Sequence, residues 1–466
     1  MKTSFLLLFF SFSLGYSQNL QKKELHESKE DKTRLIRDMV STSNGFVEFT
    51  NDGFFFYDKV FLLQKHVKIA PVTIVKFGGV SYTSYEFKAN GTTAFSISTL
   101  GDFGRKLPGV TLNELYITIA NRDGNSQNLH IIPDKKYAPC LISCTTEEGL
   151  YYLLCNLEGA LNYEWLFVAN DGTYKYIPTD FSLTSAEIKK LNSRTNSSFT
   201  NNIILKLLHL NKMTNNVICY TTYCKEKDDY FEHIEEPGES ILIKTIELNL
   251  LTGKSTNYKV YEFPTAKPTM RGYFIPKLYY DTTSKAILAC GLFSTSKNLI
   301  PVDGQYFLRY NYSNQSLQLA RFDSFKDIIQ RLGVKIAPAV ESRKTMYSDA
   351  NALYYDYIPL SYGTDPVTGD FVFSFKSEWA KTRYVQYNTK GDIVNIWHTK
   401  IMGPKVPFHA SSFDYGKTNG HPIDGMYDLA QLYKRQNIDY QLVSGEGKCI
   451  HLILEKGENR TFVYWK

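Results

Sequence analysis

Short apolar runs, most of them alternating or nearly so, follow one another along this chain and are broken by turn-forming residues roughly every ten positions. The runs AFSISTL (94–100), ELYITIA (114–120), NYEWLFVA (162–169), SILIKTIEL (240–248), KAILACGLF (285–293), DFVFSFK (370–376) and TFVYWK (461–466) have the length and the β-branched or aromatic content of strands. So do 72–78, 149–157, 203–210, 216–223, 273–281, 304–312, 383–389, 392–400 and 449–455. Between such runs lie Asn51-Asp52-Gly53, Ala89-Asn90-Gly91, Arg122-Asp123-Gly124, Asn170-Asp171-Gly172, Leu251-Thr252-Gly253, Val367-Thr368-Gly369 and Thr389-Lys390-Gly391. Each supplies the Asn, Asp or Gly that a tight hairpin needs where φ is positive. The pattern predicts a succession of antiparallel hairpins. Helical spacing is confined to 185–193, 324–333 and 424–436, the second closing on Gly333.

The first residues have a different character. Met1 to Ser17 carries Lys2, an apolar run from Phe5 to Phe12 and a small-residue exit at Gly15-Tyr16-Ser17, the layout of a secretory signal peptide cut before Gln18. That apolar run is about half of the roughly 18 residues a membrane span needs, so the mature chain is expected to be exported without a transmembrane span, to the periplasm, cell surface or exterior. No Cys follows the cut to carry a lipid. Residues 18–44 are charged and free of Gly and Pro, and read as an exposed leader or one short helix; residues 45–466 read as the β domain, with a sub-boundary at the Asn/Ser/Thr-rich stretch 192–202.

Composition sharpens the β reading and removes one partner class. The chain has 34 Tyr and 30 Phe, residues that favour pleated, half-buried surfaces. Its formal charge of +6 is spread over 466 residues, and basic positions alternate with acidic ones, as in KKELHESKEDKTRLIRD (22–38), so no nucleic-acid partner is expected.

Repetition selects the architecture. A unit of strand, turn, apolar strand, loop and aromatic strand occupies 278–317, with looser copies at 358–397 and 205–258. The starts are roughly 75 to 80 residues apart, against about 40 to 50 for a compact propeller blade, and long inter-strand loops absorb the excess. The expected fold is therefore all-β and β-propeller-like with long inter-strand loops and a few short helices; two β-sandwich domains are the alternative. The segments ILACGLFSTSK and GQYFLRYNYSNQSL, followed by SFKDII, then GDFVFSFKSEW and RYVQYNTKGDIVNIWHTKI, resemble a group of exported bacterial β-propeller-like proteins of unassigned function, mainly over residues 273–402. The resemblance implies a propeller and export, and it transfers no functional residue.

Candidate chemistry is sparse. The seven cysteines, at 140, 144, 155, 219, 224, 290 and 449, sit mostly in strand-like runs and read as buried thiols, although export permits one or two long-range bridges. Ser444-Gly445-Glu446-Gly447-Lys448 and Asp365 to Asp370 lack the full phosphate-loop and calcium-loop spacings and read as turns. No cofactor and no metal site is expected. The segment His409 to Asp428 concentrates His, Asp, Gly and Tyr, which makes His409, Asp414, His421 and Asp424 the candidate ligand-binding side chains. Rings on both faces of strands at Phe54 to Tyr57, Tyr151-Tyr152 and Tyr354-Tyr355 with Tyr357 are expected to fill inter-blade packing layers, the alternative being exposed stacking platforms for a sugar or protein partner. The functional expectation is a non-enzymatic binding or scaffolding protein of the cell envelope or exterior with a protein or glycan partner. The alternative is a carbohydrate-active or other hydrolase using carboxylates at the propeller channel.

Overall fold

The computed structural model describes residues 20–26 and 36–324 apart from 51–52, 60–61, 70–80, 104–109, 159–161, 183–204, 226–228, 231–238, 265–271, 274–275, 283 and 295–303, and then 359–364, 371–378, 381–388, 390–398, 409–410, 439–444, 450–456 and 459–465. The described residues are strands and turns, with no α-helix among them. The three helix-like segments lie outside the described residues, except that Ser324 ends a strand.

After β1 (Leu20–His26), the chain lays down antiparallel meanders. The first sheet is β2 (Ile36–Thr42), β3 (Gly45–Thr50), β4 (Gly53–Tyr57) and β5 (Leu63–Lys68). The second is β6 (Ser81–Ala89), β7 (Thr93–Phe103), β8 (Val110–Asn121) and β9 (Ser126–Ile131). The third is β10 (Tyr137–Thr145), β11 (Gly149–Asn156), β12 (Asn162–Ala169) and β13 (Tyr174–Ser182), joined to the second by the pair Tyr137 and Leu112. The fourth is β14 (Lys206–Asn211), β15 (Asn216–Cys224), β17 (Ile241–Asn249) and β18 (Ser255–Glu262), with β16 (Asp229–Tyr230) on β15. In the fifth, β19 (Gly272–Tyr273) and β20 (Lys277–Asp281) share one edge of β21 (Ala286–Ser294), followed by β22 (Gly304–Asn311) and β23 (Leu317–Ser324). The sixth is β24 (Pro359–Thr364), β25 (Phe371–Glu378), β26 (Lys381–Tyr387) and β27 (Ile393–His398), with β28 (His409–Ala410) on β24. The last is β29 (Asp439–Ser444), β30 (Ile450–Lys456) and β31 (Asn459–Trp465), completed by β1 pairing β31 from Leu20↔Trp465 to His26↔Asn459. Residues 20–26 are thus a strand, not the leader or short helix expected; their polar sequence, LQKKELH, suits the outer position of a sheet.

The chain forms two compact units, residues 1–41 with 355–466, and residues 42–354. Neither division falls at 192–202, which lies outside the described residues. Within the larger unit, β6, β10, β14 and β20, each on the first edge of its sheet, pack against one another in turn. Successive four-stranded meanders with neighbouring first strands make the fold all-β and propeller-like.

Each junction in that unit is apolar. Phe49, Phe54 and Phe87 stack between the first and second sheets. Ile97, Leu115 and Ile131 meet Tyr152, Leu154 and Leu166 between the second and third. Cys155, Trp165 and Tyr151 meet Val217 and Leu248 between the third and fourth, and Ile218, Ile243 and Tyr261 meet Ile287, Tyr306 and Tyr310 between the fourth and fifth. All of Gly53–Tyr57 is buried, as are Tyr151 and Tyr152, so these rings fill packing layers and expose no platform. Tyr354, Tyr355 and Tyr357 lie outside the described residues.

All seven predicted turns fall between paired strands. The local cause is visible at Asn249: its Oδ1 accepts from Leu251 N (3.0 Å), Thr252 N (2.9 Å) and Thr252 Oγ1 (3.0 Å), closing the turn onto Gly253 at φ +68°. Asn211, Asn311 and Asn388 make the same kind of side-chain cap. Up-and-down connectivity sends alternate connections to opposite ends of each sheet. One end carries tight turns, the longest being 365–370; the other carries every longer connection, including 183–205, 325–358 and 399–438.

Candidate functional site

Three glutamates each stand alone in an apolar strand: Glu48 in GFVEFT, Glu164 in NYEWLFVA and Glu247 in ILIKTIELN. A carboxylate in such a place is tolerated only with donors, and each receives a tyrosine hydroxyl. Tyr57 donates to Glu48 at 2.6 Å, Tyr137 to Glu164 at 3.0 Å and Tyr312 to Glu247 at 2.5 Å.

The Glu164 group has the most chemistry and lies at the end that carries the long connections. Glu164 begins β12 and is 5% exposed. Lys135, whose side chain is 41% exposed, donates to Oε1 from the link between β9 and β10 at 3.2 Å. Asn156, ending β11, donates to the same oxygen at 3.3 Å, while Tyr137 takes Oε2. The connections beside it are braced: Leu157 N donates to Lys136 O (2.7 Å), and Glu158 N to Asn156 Oδ1 (2.9 Å). Burial, then the bond to Glu164, holds the Tyr137 phenol well above its ordinary value. The Tyr176 ring stacks on Tyr137 at 5.6 Å and 6°, and burial, followed by the charge of Asp134, pushes its phenol up to about 12. Three donors, from Lys135, Asn156 and Tyr137, hold the buried carboxyl group in place. The arrangement suits positioning and neutral recognition through the half-exposed Lys135.

A second group joins the fourth and fifth sheets at the tight-turn end. Lys259 Nζ sits 3.8 Å above the Tyr312 ring and donates to Tyr312 O at 2.8 Å. Tyr261 donates to the same carbonyl at 3.2 Å. Asn216 reaches Glu247 at 3.4 Å, Tyr280 meets Tyr312 edge-on, and His209 stacks on Tyr280 at 4.8 Å, its imidazole pushed below its ordinary range by burial. Similar side-chain bonds tie neighbouring turns at this end, as where Asn90 Nδ2 reaches Thr146 O (2.9 Å) and Asn170 Oδ1 (3.1 Å).

Of the residues expected to bind ligand, His409 lies in β28, its backbone paired with Thr364. Asp414, His421 and Asp424 lie outside the described residues. The segment belongs to the connection between β27 and β29, and its described part, β28, pairs with Gly363 and Thr364 at the end of β24 that leads into the 365–370 turn. Sequence reasoning passed over Lys135, Tyr137, Asn156 and Glu164; the available signal was the lone acid inside an apolar run. Exposed rings do occur, at Tyr174 (49%) and Tyr258 (58%), both on fourth-position strands. Among the described residues no group of three or more His, Cys, Asp or Glu is placed to hold a metal, and no helix is long and apolar enough to cross a membrane.

No family model matches this chain, and no curated protein matches it. Among solved structures it is similar to the Dos1 propeller (TM-score 0.35, 7% identity, covering 92% of this chain and 78% of that one). It is also similar to the β-propeller domain of the trilobed protease from Pyrococcus furiosus (0.33, 9%, 84% and 82%). A third is PpgL, the periplasmic gluconolactonase of Pseudomonas aeruginosa (0.31, 9%, 81% and 95%).

Proposed function

We propose that this chain is an exported, non-enzymatic binding protein that engages a protein or glycan partner through the long connection between β27 and β29. The observation that carries the reading is the contrast between short turns capped by Asn side chains and the long connection from 399 to 438, which returns to lay His409 and Ala410 on the edge of β24. Binding residues concentrate on loops held by a rigid scaffold. The capped, cross-bonded turns make the scaffold, and the segment from His409 to Asp428 with its imidazoles and carboxylates is the proposed contact.

The test compares the full mature chain with a variant in which 411–428 is replaced by a Gly-Ser linker, on an array of soluble glycans and on insoluble polysaccharides. Saturable binding that falls at least about tenfold in the linker variant, at unchanged melting temperature, supports the proposal. Release of sugar from chromogenic glycosides, abolished by one Asp or Glu substitution, would replace it with the hydrolase reading.

A further inference from the structure

Cys140, Cys144, Cys155, Cys219, Cys224 and Cys290 are buried thiols. Four of them, Cys140, Cys144, Cys155 and Cys219, share the core between the third and fourth sheets. Neither of the pairs nearest in sequence is bridged in the fold. Cys140 and Cys144 lie on β10 across an irregularity in which the four-residue step from Pro139 to Ser143 faces the two-residue step from Leu154 to Tyr152. Cys219 and Cys224 lie on β15 in an unbroken ladder with β17, about 16 Å apart. Their side chains enter different cores, Cys219 the one shared with the third sheet and Cys224 the one shared with the fifth. A disulfide needs Cα atoms within about 7 Å.

We propose that folding of this chain is gated by redox state: only the chain with its thiols reduced completes the third and fourth sheets, and the completed sheets then shield those thiols. In an unfolded chain short loops close most readily, so Cys140 with Cys144 and Cys219 with Cys224 are the favoured bridges. A thiolate of one member attacks a sulfur of a small disulfide such as oxidised glutathione and releases one glutathione thiolate. The second member loses its proton, attacks the protein sulfur of the mixed disulfide and releases the other. Two protein thiols are oxidised, and one glutathione disulfide is reduced by two electrons. Either bridge forces its strand out of extension and removes the middle of a sheet. In the folded chain the same thiols are buried, and burial pushes the Cys140 and Cys219 thiols well above their ordinary value, leaving little thiolate. This inference is independent of the binding proposal. Export would place the chain where such oxidants occur.

The test unfolds the full chain in urea and refolds it with dithiothreitol or with oxidised glutathione, reading near-ultraviolet circular dichroism and non-reducing peptide maps. Recovery about fivefold lower under oxidation is expected, with peptides linking the two local pairs. A chain carrying both Cys144→Ala and Cys224→Ala should recover under both conditions. On folded wild-type protein, Ellman's reagent should find at most one reactive thiol, against all seven in urea. Equal recovery of the wild type under both conditions, or rapid reaction of the six buried thiols in the folded protein, overturns the proposal; both readings hold even if the double variant fails to fold.

Discussion

Glu164 and Lys135 show how differently the two halves of one ion pair can count. Removing the carboxylate in Glu164→Ala strands the Tyr137 hydroxyl, which is fully buried, and the Asn156 amide, with an expected cost of about 2 to 3 kcal/mol in chemical denaturation. Removing its half-exposed partner in Lys135→Ala should cost under about 1 kcal/mol, because a solvated ammonium gains little from the pair. Equal costs would mean that the lysine, and not the hydroxyl and amide, holds the group together. The buried tyrosines set a pH limit of their own. Tyr151 and Tyr176 are pushed up to about 12 by burial, and Tyr310 and Tyr312 are also raised. A phenol with a raised folded pKa keeps its proton better when folded, so its stabilising contribution is whole below about pH 10 and is lost as pH climbs toward 12. Alkaline titration at the phenolate absorbance should therefore show a cooperative step coincident with loss of near-ultraviolet circular dichroism, not a smooth rise near pH 10.

Among the elements, the turns and many of the strands were legible, β14 and β27 at sheet edges included, while several other outer strands were not. Leu251-Thr252-Gly253 announced its hairpin because a positive φ and an Asn cap are local requirements. Gly253→Ala should destabilise by about 1 to 3 kcal/mol, since a Cβ there would lie 1.9 Å from Pro178 O on top of the φ penalty. Asn249→Ala, losing three accepted bonds, should cost about 1 kcal/mol in the same assay. By contrast β9, β13 and β18 carry exposed, polar patterns such as SQNLHI, and one-sided contact leaves no apolar alternation to read. β1 escaped notice for the same reason, and its partner β31 lies at the far end of the sequence, beyond any local signal. Deleting residues 20–26 should strip hydrogen-exchange protection from Asn459–Trp465; unchanged protection there would contradict the pairing.

For the whole molecule, the repeat starts at 205, 278 and 358 matched the first-edge strands of the fourth, fifth and sixth sheets, because each begins an apolar meander after a long connection. The ligand-binding candidates were chosen by composition alone, and composition gives a loop its chemistry without its geometry. Topology supplies what composition lacks, namely the end of the sheets at which that loop leaves. The central claim is that a partner meets the connection between β27 and β29. Its most direct measurement places a photo-crosslinking amino acid either at Tyr415, in the connection between β27 and β29, or at Met213, 95% exposed in the tight turn between β14 and β15, in the producing cells. The account predicts discrete, saturable adducts from position 415 and none from 213. Adducts from 213 with none from 415 would contradict it.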